Sequence, residues 1–192
     1  MTISRKALFA VAMAVIALAQ TGVLAYMATD RVQLLRDGRE ITLPVETIYV
    51  YPGDPLRGDY VQLMYPVGRV PLNVLEDAKA RRNEVFYVVL ERRNGNPWQP
   101  VEWHRSMPLP DGADRLVMRG RSDTATPIPS HRLPLIRYGI ESYVVPQGEG
   151  EKLQAASRSK KLAVLVAVDK GGNAAIKGLI IDGKLQYEEP LF

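Results

Sequence analysis

The polar corner Arg57-Gly58-Asp59-Tyr60 brings a guanidinium, a carboxylate and a phenol close together in the sequence. Such a set can recognise a polar partner through charge-assisted hydrogen bonds, with the phenol adding apolar contact area. It can equally shape a turn, because glycine reaches backbone angles that other residues resist and an aspartate carboxylate accepts nearby backbone N–H groups. The turn-forming run at 52–55 precedes the corner, so the sequence favours the structural interpretation.

A binding role for this corner would use Arg57, Asp59 and Tyr60. Two tryptophans extend the set of binding candidates, because Trp98 and Trp103 fall on opposite faces of a strand unless it bulges. One of them can enter the core, and the other is then free to lie against a partner or lipid headgroups. We therefore take Arg57, Asp59, Tyr60 and Trp103 as the candidate partner-binding residues.

The remaining titratable residues do not suggest catalysis. Glu141 lies in an apolar stretch, where a buried carboxylate needs a partner, and Arg137 would provide one in a structural ion pair. His104 and His131 lie on different segments without companions at metal-ligand spacing. The sequence therefore predicts no catalytic residue and no metal site.

Composition excludes several other kinds of function. The chain of 192 residues has no cysteine, which excludes a disulfide framework, a thiolate nucleophile and a cysteine-ligated metal. Its 25 basic and 21 acidic residues are interspersed, so a net charge of +4 provides no basic stripe for nucleic acid. Residues 148–153 lack the strand context of a phosphate-binding loop. We expect no nucleic acid, no nucleotide and no other cofactor.

Short strands are expected to position the polar corner. Residues 39–51 contain β-rich apolar runs, and residues 59–67 alternate so that Val61, Leu63 and Tyr65 share one face. The turn and the corner therefore separate two predicted strands.

Turn signals beyond the corner indicate more antiparallel strands. Asn94-Gly95 joins two apolar runs as a hairpin, residues 115–122 indicate a further strand, and turns at 171–173 and 182–183 divide a C-terminal meander. One helix is predicted nearby, with Asn73 as its N-cap. We predict a mainly β to α+β fold of short antiparallel strands, hairpins and a C-terminal β-meander behind an N-terminal transmembrane helix.

The N-terminal segment is apolar and uncharged from Ala7 to Ala28, behind Arg5 and Lys6. About 22 residues at about 1.5 Å each span roughly 33 Å, enough to cross the hydrocarbon core of a bilayer. The triplet at 17–19 also fits a signal-peptidase cleavage site. Because apolar residues continue beyond that triplet, a retained anchor is favoured over a cleaved signal sequence.

Gly58-Asp59-Tyr60, followed by Leu63 and Tyr65, is the pattern for which a bacterial family, the GDYxxLxY proteins, is named. The chain resembles this family over most of its length, including residues 137–153 and 174–191. Family members resemble single-pass, membrane-anchored proteins of unknown biochemical function. The resemblance therefore implies an anchor and a bacterial envelope location, and it carries no catalytic residues over. We assign the five motif residues a structural role.

This interpretation divides the chain into three parts. Residues 1–29 form the membrane anchor or uncleaved signal, 30–125 a β-rich subdomain with the motif, and 126–192 a C-terminal β-meander subdomain. The basic residues Arg5 and Lys6 predict a cytoplasmic N-terminus, although further arginines follow the apolar run. We expect a single-pass protein of the bacterial cytoplasmic (inner) membrane, with its domain facing the periplasm or the cell exterior.

Residues 55–66 are also similar to an element of signal peptidases, in which a Gly-Asp pair follows the nucleophilic serine. That chemistry needs a serine about nine or ten residues before the aspartate, activated by a neutral lysine. Tyr49, Val50 and Tyr51 occupy those positions, and neither Ser nor Lys occurs between residues 31 and 79. A signal-peptidase-like hydrolase fold, degenerate and inactive, is therefore the alternative interpretation.

The leading hypothesis is a non-enzymatic extracytoplasmic module that binds protein or assists an integral membrane partner, with the lipid bilayer as its second partner. The two interpretations predict different surfaces. A cleft that joins Asp59 and Glu141 to a serine or lysine would favour the hydrolase, whereas a flat aromatic patch would favour the binding module.

Overall fold

The computed structural model describes residues 5–51, 59–77, 79–109, 111–125 and 134–188. A long helix, α1 (Arg5–Asp37), opens the described chain. Strands and two shorter helices follow in this order: β1 (Arg39–Pro44), β2 (Thr47–Tyr51), β3 (Asp59–Met64), α2 (Leu72–Asp77), β4 (Val85–Glu91), β5 (Gln99–His104), β6 (Arg115–Ser122), β7 (Ile136–Arg137), β8 (Ser142–Val145), α3 (Gly150–Arg158), β9 (Leu162–Val168), β10 (Ala174–Ile181) and β11 (Lys184–Glu188).

The strands form three antiparallel sheets. The terminal sheet has the order β1-β9-β10-β11, the motif sheet the order β2-β3-β8, and the hairpin sheet the order β5-β4-β6-β7. An apolar N-terminal helix followed by antiparallel sheets confirms the predicted mainly β to α+β class.

Each sheet combines strands from both sides of residue 126. β1 pairs with β9, β3 with β8, and β6 with β7. Buried side chains from all three sheets also belong to one hydrophobic cluster, which includes Leu43, Leu63, Leu90 and Leu179. The strands of the two predicted subdomains therefore share sheets and a hydrophobic core. The subdomain boundary between residues 125 and 126 stays a prediction.

Alternating apolar residues become the buried faces of their strands, as the sequence predicts. Val61, Leu63 and Tyr65 are buried on one side of β3, and Ile41 and Leu43 are buried on β1. Because side chains alternate along a strand, the same pattern leaves every second residue of β3 on the opposite face.

The predicted hairpin and meander are also present. Asn94 and Gly95 both have positive φ angles, of 51° and 76°, and join β4 to β5. Asp182 and Gly183 do the same between β10 and β11, with φ angles of 52° and 77°. Such consecutive positive angles match the twist of tight hairpins, which explains why Asn-Gly and Asp-Gly signal them.

One local prediction needs correction. The helix α2 begins at Leu72, so Asn73 lies inside it and does not cap its N-terminus.

The strand with the tryptophans is irregular, which is the exception that the sequence allowed. The β4–β5 pairing shifts register between Val89 and Leu90. Trp98, just before β5, is buried in the core cluster, and Trp103 on β5 packs against that cluster.

The helix α1 continues without a break from the apolar segment into the domain. Its stretch Val11–Asp37 is long and apolar enough to cross a membrane, a property that a membrane anchor and a signal sequence share. Leu35, near its end, is buried, and the final turns contact β9 and β10. A Cβ atom on Gly38 would lie 2.4 Å from the carbonyl oxygen of Leu34, so glycine allows the chain to turn into β1.

Candidate functional site

The motif lies on β3 and the residue after the strand. Asp59 begins β3, Tyr60 and Leu63 follow on opposite faces, and Tyr65 comes directly after its end. Arg57 and Gly58, together with the turn at 52–55, lie outside the described residues. The prediction that Asp59 stabilises its own turn concerns those residues as well.

The Asp59 carboxylate is bonded to a loop far away in the sequence. Its Oδ2 atom accepts a hydrogen bond from the N–H of Gly148 at 2.9 Å and a longer one from Gly150 at 3.4 Å. Gly150 is the first residue of α3, whose early N–H groups have no acceptor within the helix. A carboxylate also complements the positive end of the helix dipole. Asp59 therefore ties β3 to the beginning of α3.

The fit around Gly150 is tight. A Cβ atom there would lie 2.4 Å from Cγ1 of Val50 and 3.2 Å from Oδ2 of Asp59. Because Val50 is β-branched and has few rotamers, it cannot easily move aside. Glycine at this position therefore lets α3 approach both β2 and the motif aspartate.

Glu149 extends the same junction to the last described strand. Its carboxylate accepts hydrogen bonds from the Tyr187 hydroxyl and, at 2.9 Å, from the Lys152 ammonium. The Tyr187 bond, and then the Lys152 bond, lower the pKa of Glu149. Burial and the neighbouring carboxylate raise the pKa of Tyr187 to about 12. Sequence reasoning missed this pair, since no spacing or period connects residues so far apart.

Leu63 and Tyr65 hold a second loop against β3. The N–H of Leu63 donates to the carbonyl of Glu141 at 2.7 Å, and the buried Tyr65 hydroxyl donates to the carbonyl of Ile140 at 2.7 Å. Burial, and then the charge of Glu141, raise the pKa of Tyr65 well above its ordinary value. Four motif residues, Asp59, Tyr60, Leu63 and Tyr65, are thus described, and three of them make contacts that join separate segments.

The predicted ion pair between Glu141 and Arg137 is wrong. Both residues are described, and the Glu141 carboxylate accepts the backbone N–H groups of Tyr138 at 2.6 Å and Gly139 at 2.9 Å. The Arg137 guanidinium lies instead 3.9 Å from the Asp123 carboxylate. Burial raises the pKa of Glu141, and the two N–H groups and Arg137 oppose that rise. Backbone donors therefore satisfy this carboxylate.

Tyr60 is the motif residue that faces outward. In register, Tyr51, Tyr60 and Val144 lie side by side across the three strands of the motif sheet, and Tyr49 lies on the same face of β2. The exposed fractions are 50% for Tyr51, 44% for Tyr60, 58% for Val144 and 52% for Tyr49. The Tyr51 and Tyr60 ring centroids are 6.1 Å apart. We call these four residues the tyrosine face.

The tyrosine face begins beside α1. A shallow cavity of about 240 Å³ is lined by Arg31 of α1 and by Tyr60, Ser142 and Val144 of the motif sheet. Arg31 follows the apolar segment of α1 closely. The exposed tyrosines therefore start near the end of the apolar helix and extend across the sheet to β2.

The other predicted binding residue, Trp103, lies on the hairpin sheet. Its ring is partly buried against the core, and its indole Nε1 is the one buried side-chain nitrogen or oxygen of the described residues without a hydrogen-bond partner. Trp98 is 5% exposed and lies between the guanidinium groups of Arg39 and Arg92, each 5.3 Å from the ring centroid. A partner contact through Trp103 stays a prediction.

The described histidine, His104, lies beside a single carboxylate. The Nε2 atom of His104 is 3.0 Å from the Glu102 carboxylate, on the part-exposed surface of the hairpin sheet. His131 lies outside the described residues. Across the described ranges, no group of three or more metal-ligating side chains is present.

The groups that a hydrolase would need are not gathered in the described part of the chain. A cavity of about 130 Å³ beside Glu141 is lined by Tyr65, Arg137 and Tyr138 among others, and its lining includes neither serine nor lysine. The contacts seen on the Asp59 carboxylate are the N–H groups of Gly148 and Gly150. Among the described residues, Asp59 and Glu141 thus each hold a different loop.

Comparison with known proteins identifies a family whose biochemical function is unknown. No curated protein and no solved structure matches the chain. The family model described as "GDYXXLXY protein" matches residues 20–179, well over half of the chain. That range includes the motif on β3 and both loops that it holds. The chain belongs to the GDYXXLXY protein family.

Proposed function

We propose that the protein is a membrane-anchored binding module of the bacterial envelope, and that its tyrosine face contacts an integral membrane protein. The exposed cluster of Tyr49, Tyr51, Tyr60 and Val144 carries this proposal. The family supplies no biochemical activity, so the argument depends on the surface itself.

The anchor is the helix α1. A span of apolar residues this long can cross a bilayer once, and a signal sequence would share that property. The helix also continues into buried contacts at Leu35, which a retained anchor would use to hold the domain at the membrane. With Arg5 and Lys6 on the cytoplasmic side, the domain would lie in the periplasm or outside the cell.

The tyrosine face has the composition of a protein interface. Tyrosine is enriched where proteins bind each other, because its ring adds a large apolar area at little cost in side-chain entropy and its hydroxyl accepts or donates a hydrogen bond. Three tyrosines in adjacent register on one exposed sheet face exceed the scattered apolar residues of an ordinary surface. A flat, aromatic surface of this kind supports binding of a partner over catalysis.

The position of the face favours a partner within the membrane. Tyr60 and Val144 lie beside Arg31, close to the end of the apolar segment, and the face extends from there. A protein that emerges from the same bilayer would meet this surface at the same height.

The proposal is tested by photo-crosslinking in native membranes. A photoreactive phenylalanine analogue replaces Tyr49 or Tyr51 in the full-length protein, and an equivalent replacement at Leu185, 46% exposed on β11, is the control. We expect one discrete protein adduct from either tyrosine position and at least a threefold weaker one from Leu185. Equal adducts from all three positions, or adducts to lipid alone, would contradict the proposal.

A further inference from the structure

A large groove lies along the last turns of α1, apart from the tyrosine face. It has a volume of about 780 Å³, and its lining includes the last turns of α1, residues 107–109, the start of β6 and residues 168–171. Residues 107–109 belong to the connection that crosses from β5 to β6. From α1, the groove is lined by Asp30, Gln33, Leu34 and Asp37.

The connection presents apolar side chains to solvent. Leu109 is 96% exposed and Met107 is 39% exposed, with Pro108 between them. Single exposed apolar residues are common on protein surfaces. What distinguishes these is their position against α1, because the same groove includes Asp30, the first charged residue after the apolar run.

The height of the groove follows from helix geometry. Asp30 is three residues beyond Met27, or about 4.5 Å along the axis at about 1.5 Å per residue, and Asp37 is about 15 Å beyond Met27. A bilayer of roughly 40–45 Å with a hydrocarbon core of about 30 Å has a headgroup layer of about 5–7 Å on each side. The Asp30 end of the groove therefore lies level with the headgroups whenever α1 spans the membrane.

A second apolar contact lies at the same height. Tyr60 and Val144 share a cavity with Arg31, the neighbour of Asp30. Successive residues of an α-helix are rotated by about 100°, so the two contacts lie at different angles around α1. Exposed apolar side chains thus lie in two directions around α1, Met107 and Leu109 in one and Tyr60 and Val144 in the other.

We infer that the connection at 107–109 is a bilayer contact, with Leu109 inserted among the lipid headgroups and the upper acyl chains. The occupant is lipid, because the groove continues the surface of a helix that is itself in lipid at the preceding turn. Interfacial leucine and methionine gain free energy by leaving water for this layer. The inference rests on the proposed anchoring of α1.

The absence of native cysteine allows a direct depth measurement. Leu109→Cys in the full-length protein is labelled with an environment-sensitive fluorophore and reconstituted in phosphatidylcholine–phosphatidylglycerol vesicles. Some vesicles contain lipid with a nitroxide on acyl carbon 5. Because Leu109 is almost fully exposed, this substitution does not disturb the core.

Asn96→Cys is the matched control. Asn96 is exposed in the β4–β5 hairpin, and residues 92–98 of that hairpin do not line the groove. The label there should be farther from the bilayer than the label at position 109. We expect nitroxide quenching at position 109 to be at least threefold stronger than at position 96.

Flotation of the vesicles separates the two proposals. If the protein does not float with the vesicles, the anchor fails and this inference fails with it. If the protein floats but the two labels are quenched equally, the anchor stands and the lipid contact at Leu109 is wrong. A label at position 109 that is shielded from water without lipid quenching would identify a protein occupant and also overturn the inference.

Discussion

The Asp59 carboxylate accepts hydrogen bonds at the start of α3, a role that the side chain of the N-cap residue usually has. The N-cap residue Glu149 makes no side-chain cap bond, and its carboxylate contacts Lys152 and Tyr187. A residue at the start of β3, far away in the sequence, therefore accepts hydrogen bonds from the N–H groups of Gly148 and Gly150 at the start of the helix. This explains why a motif would retain aspartate at a position that carries no visible chemistry.

Replacing Asp59 with asparagine should destabilise the protein. The loss of a charged acceptor for two N–H groups should lower the free energy of unfolding by about 1 kcal/mol or more. Urea unfolding of the full-length protein in detergent, followed by tryptophan fluorescence, measures the change.

Asp182→Asn is the control for this experiment. Asp182 pairs with Lys161 at 3.1 Å on the exposed surface, where an ion pair contributes roughly 0–1 kcal/mol, so the change should be smaller. Unchanged stability of Asp59→Asn together with lost partner binding would assign Asp59 to recognition and not to structure.

At the scale of the elements, the motif residues hydrogen-bond two separate loops to β3. Leu63 and Tyr65 bind the loop at 138–141, and Asp59 binds the loop at 148–150. Glu141 in turn organises its loop through the N–H groups of Tyr138 and Gly139. Since this carboxylate is largely buried, the junction between β3 and β8 should respond to pH.

We expect the contribution of Glu141 to stability to fall as pH rises. Its pKa is raised in the folded protein, so folding favours the protonated form and the contribution is fully present below the ordinary pKa of 4.5. It is lost as pH rises through the folded value. The difference in unfolding free energy between wild type and Glu141→Gln should therefore decrease above about pH 4.5.

Glu102→Gln should show the opposite trend. Hydrogen bonds from His104 first and Arg115 second lower the pKa of Glu102, so its contribution is lost as pH falls. Urea titrations of wild type and both variants, from about pH 7 down to about pH 3, give the two differences. Parallel curves for wild type and Glu141→Gln would show that the buried carboxylate does not titrate differently on folding.

The elements were predictable from local pattern, whereas their junctions were not. Alternation along residues 59–65 gives the buried face of β3, and Asn94-Gly95 gives a hairpin, because both depend on neighbouring residues. The Asp59–Gly148 bond and the Tyr187–Glu149 bond join residues that no period connects. The helix start at Leu72 also escaped prediction, since Asn73 resembled a cap only in sequence.

The site was predictable to the extent that the motif contains it. Asp59 and Tyr60 of the motif begin β3, the strand at the centre of the candidate site, and Tyr60 faces outward. The tyrosine face also needed the registers of β2 and β8, which place Tyr51 and Val144 beside Tyr60. Sequence alone does not give such cross-strand neighbours, because a shift of one residue would reverse every side chain.

At the scale of the whole molecule, one long apolar helix leads directly into three described sheets with a common core. Full-length protein should remain in the membrane fraction after an alkaline carbonate wash, because transfer of the apolar run of α1 to water is strongly unfavourable. Immunoblotting of pellet and supernatant, with N-terminal sequencing of any soluble product, measures this. A soluble product that begins at Gln20 would identify α1 as a signal sequence.

The unbroken passage of α1 into the domain has a mechanical consequence. Because Leu35 is buried and Gly38 turns directly into β1, no flexible linker separates the sheets from the apolar helix. A long apolar helix that spans a membrane tilts to match its thickness. If α1 is the proposed anchor, the sheets must rotate with it when it tilts, so the lipid composition of its membrane would set the direction in which the exposed tyrosines point.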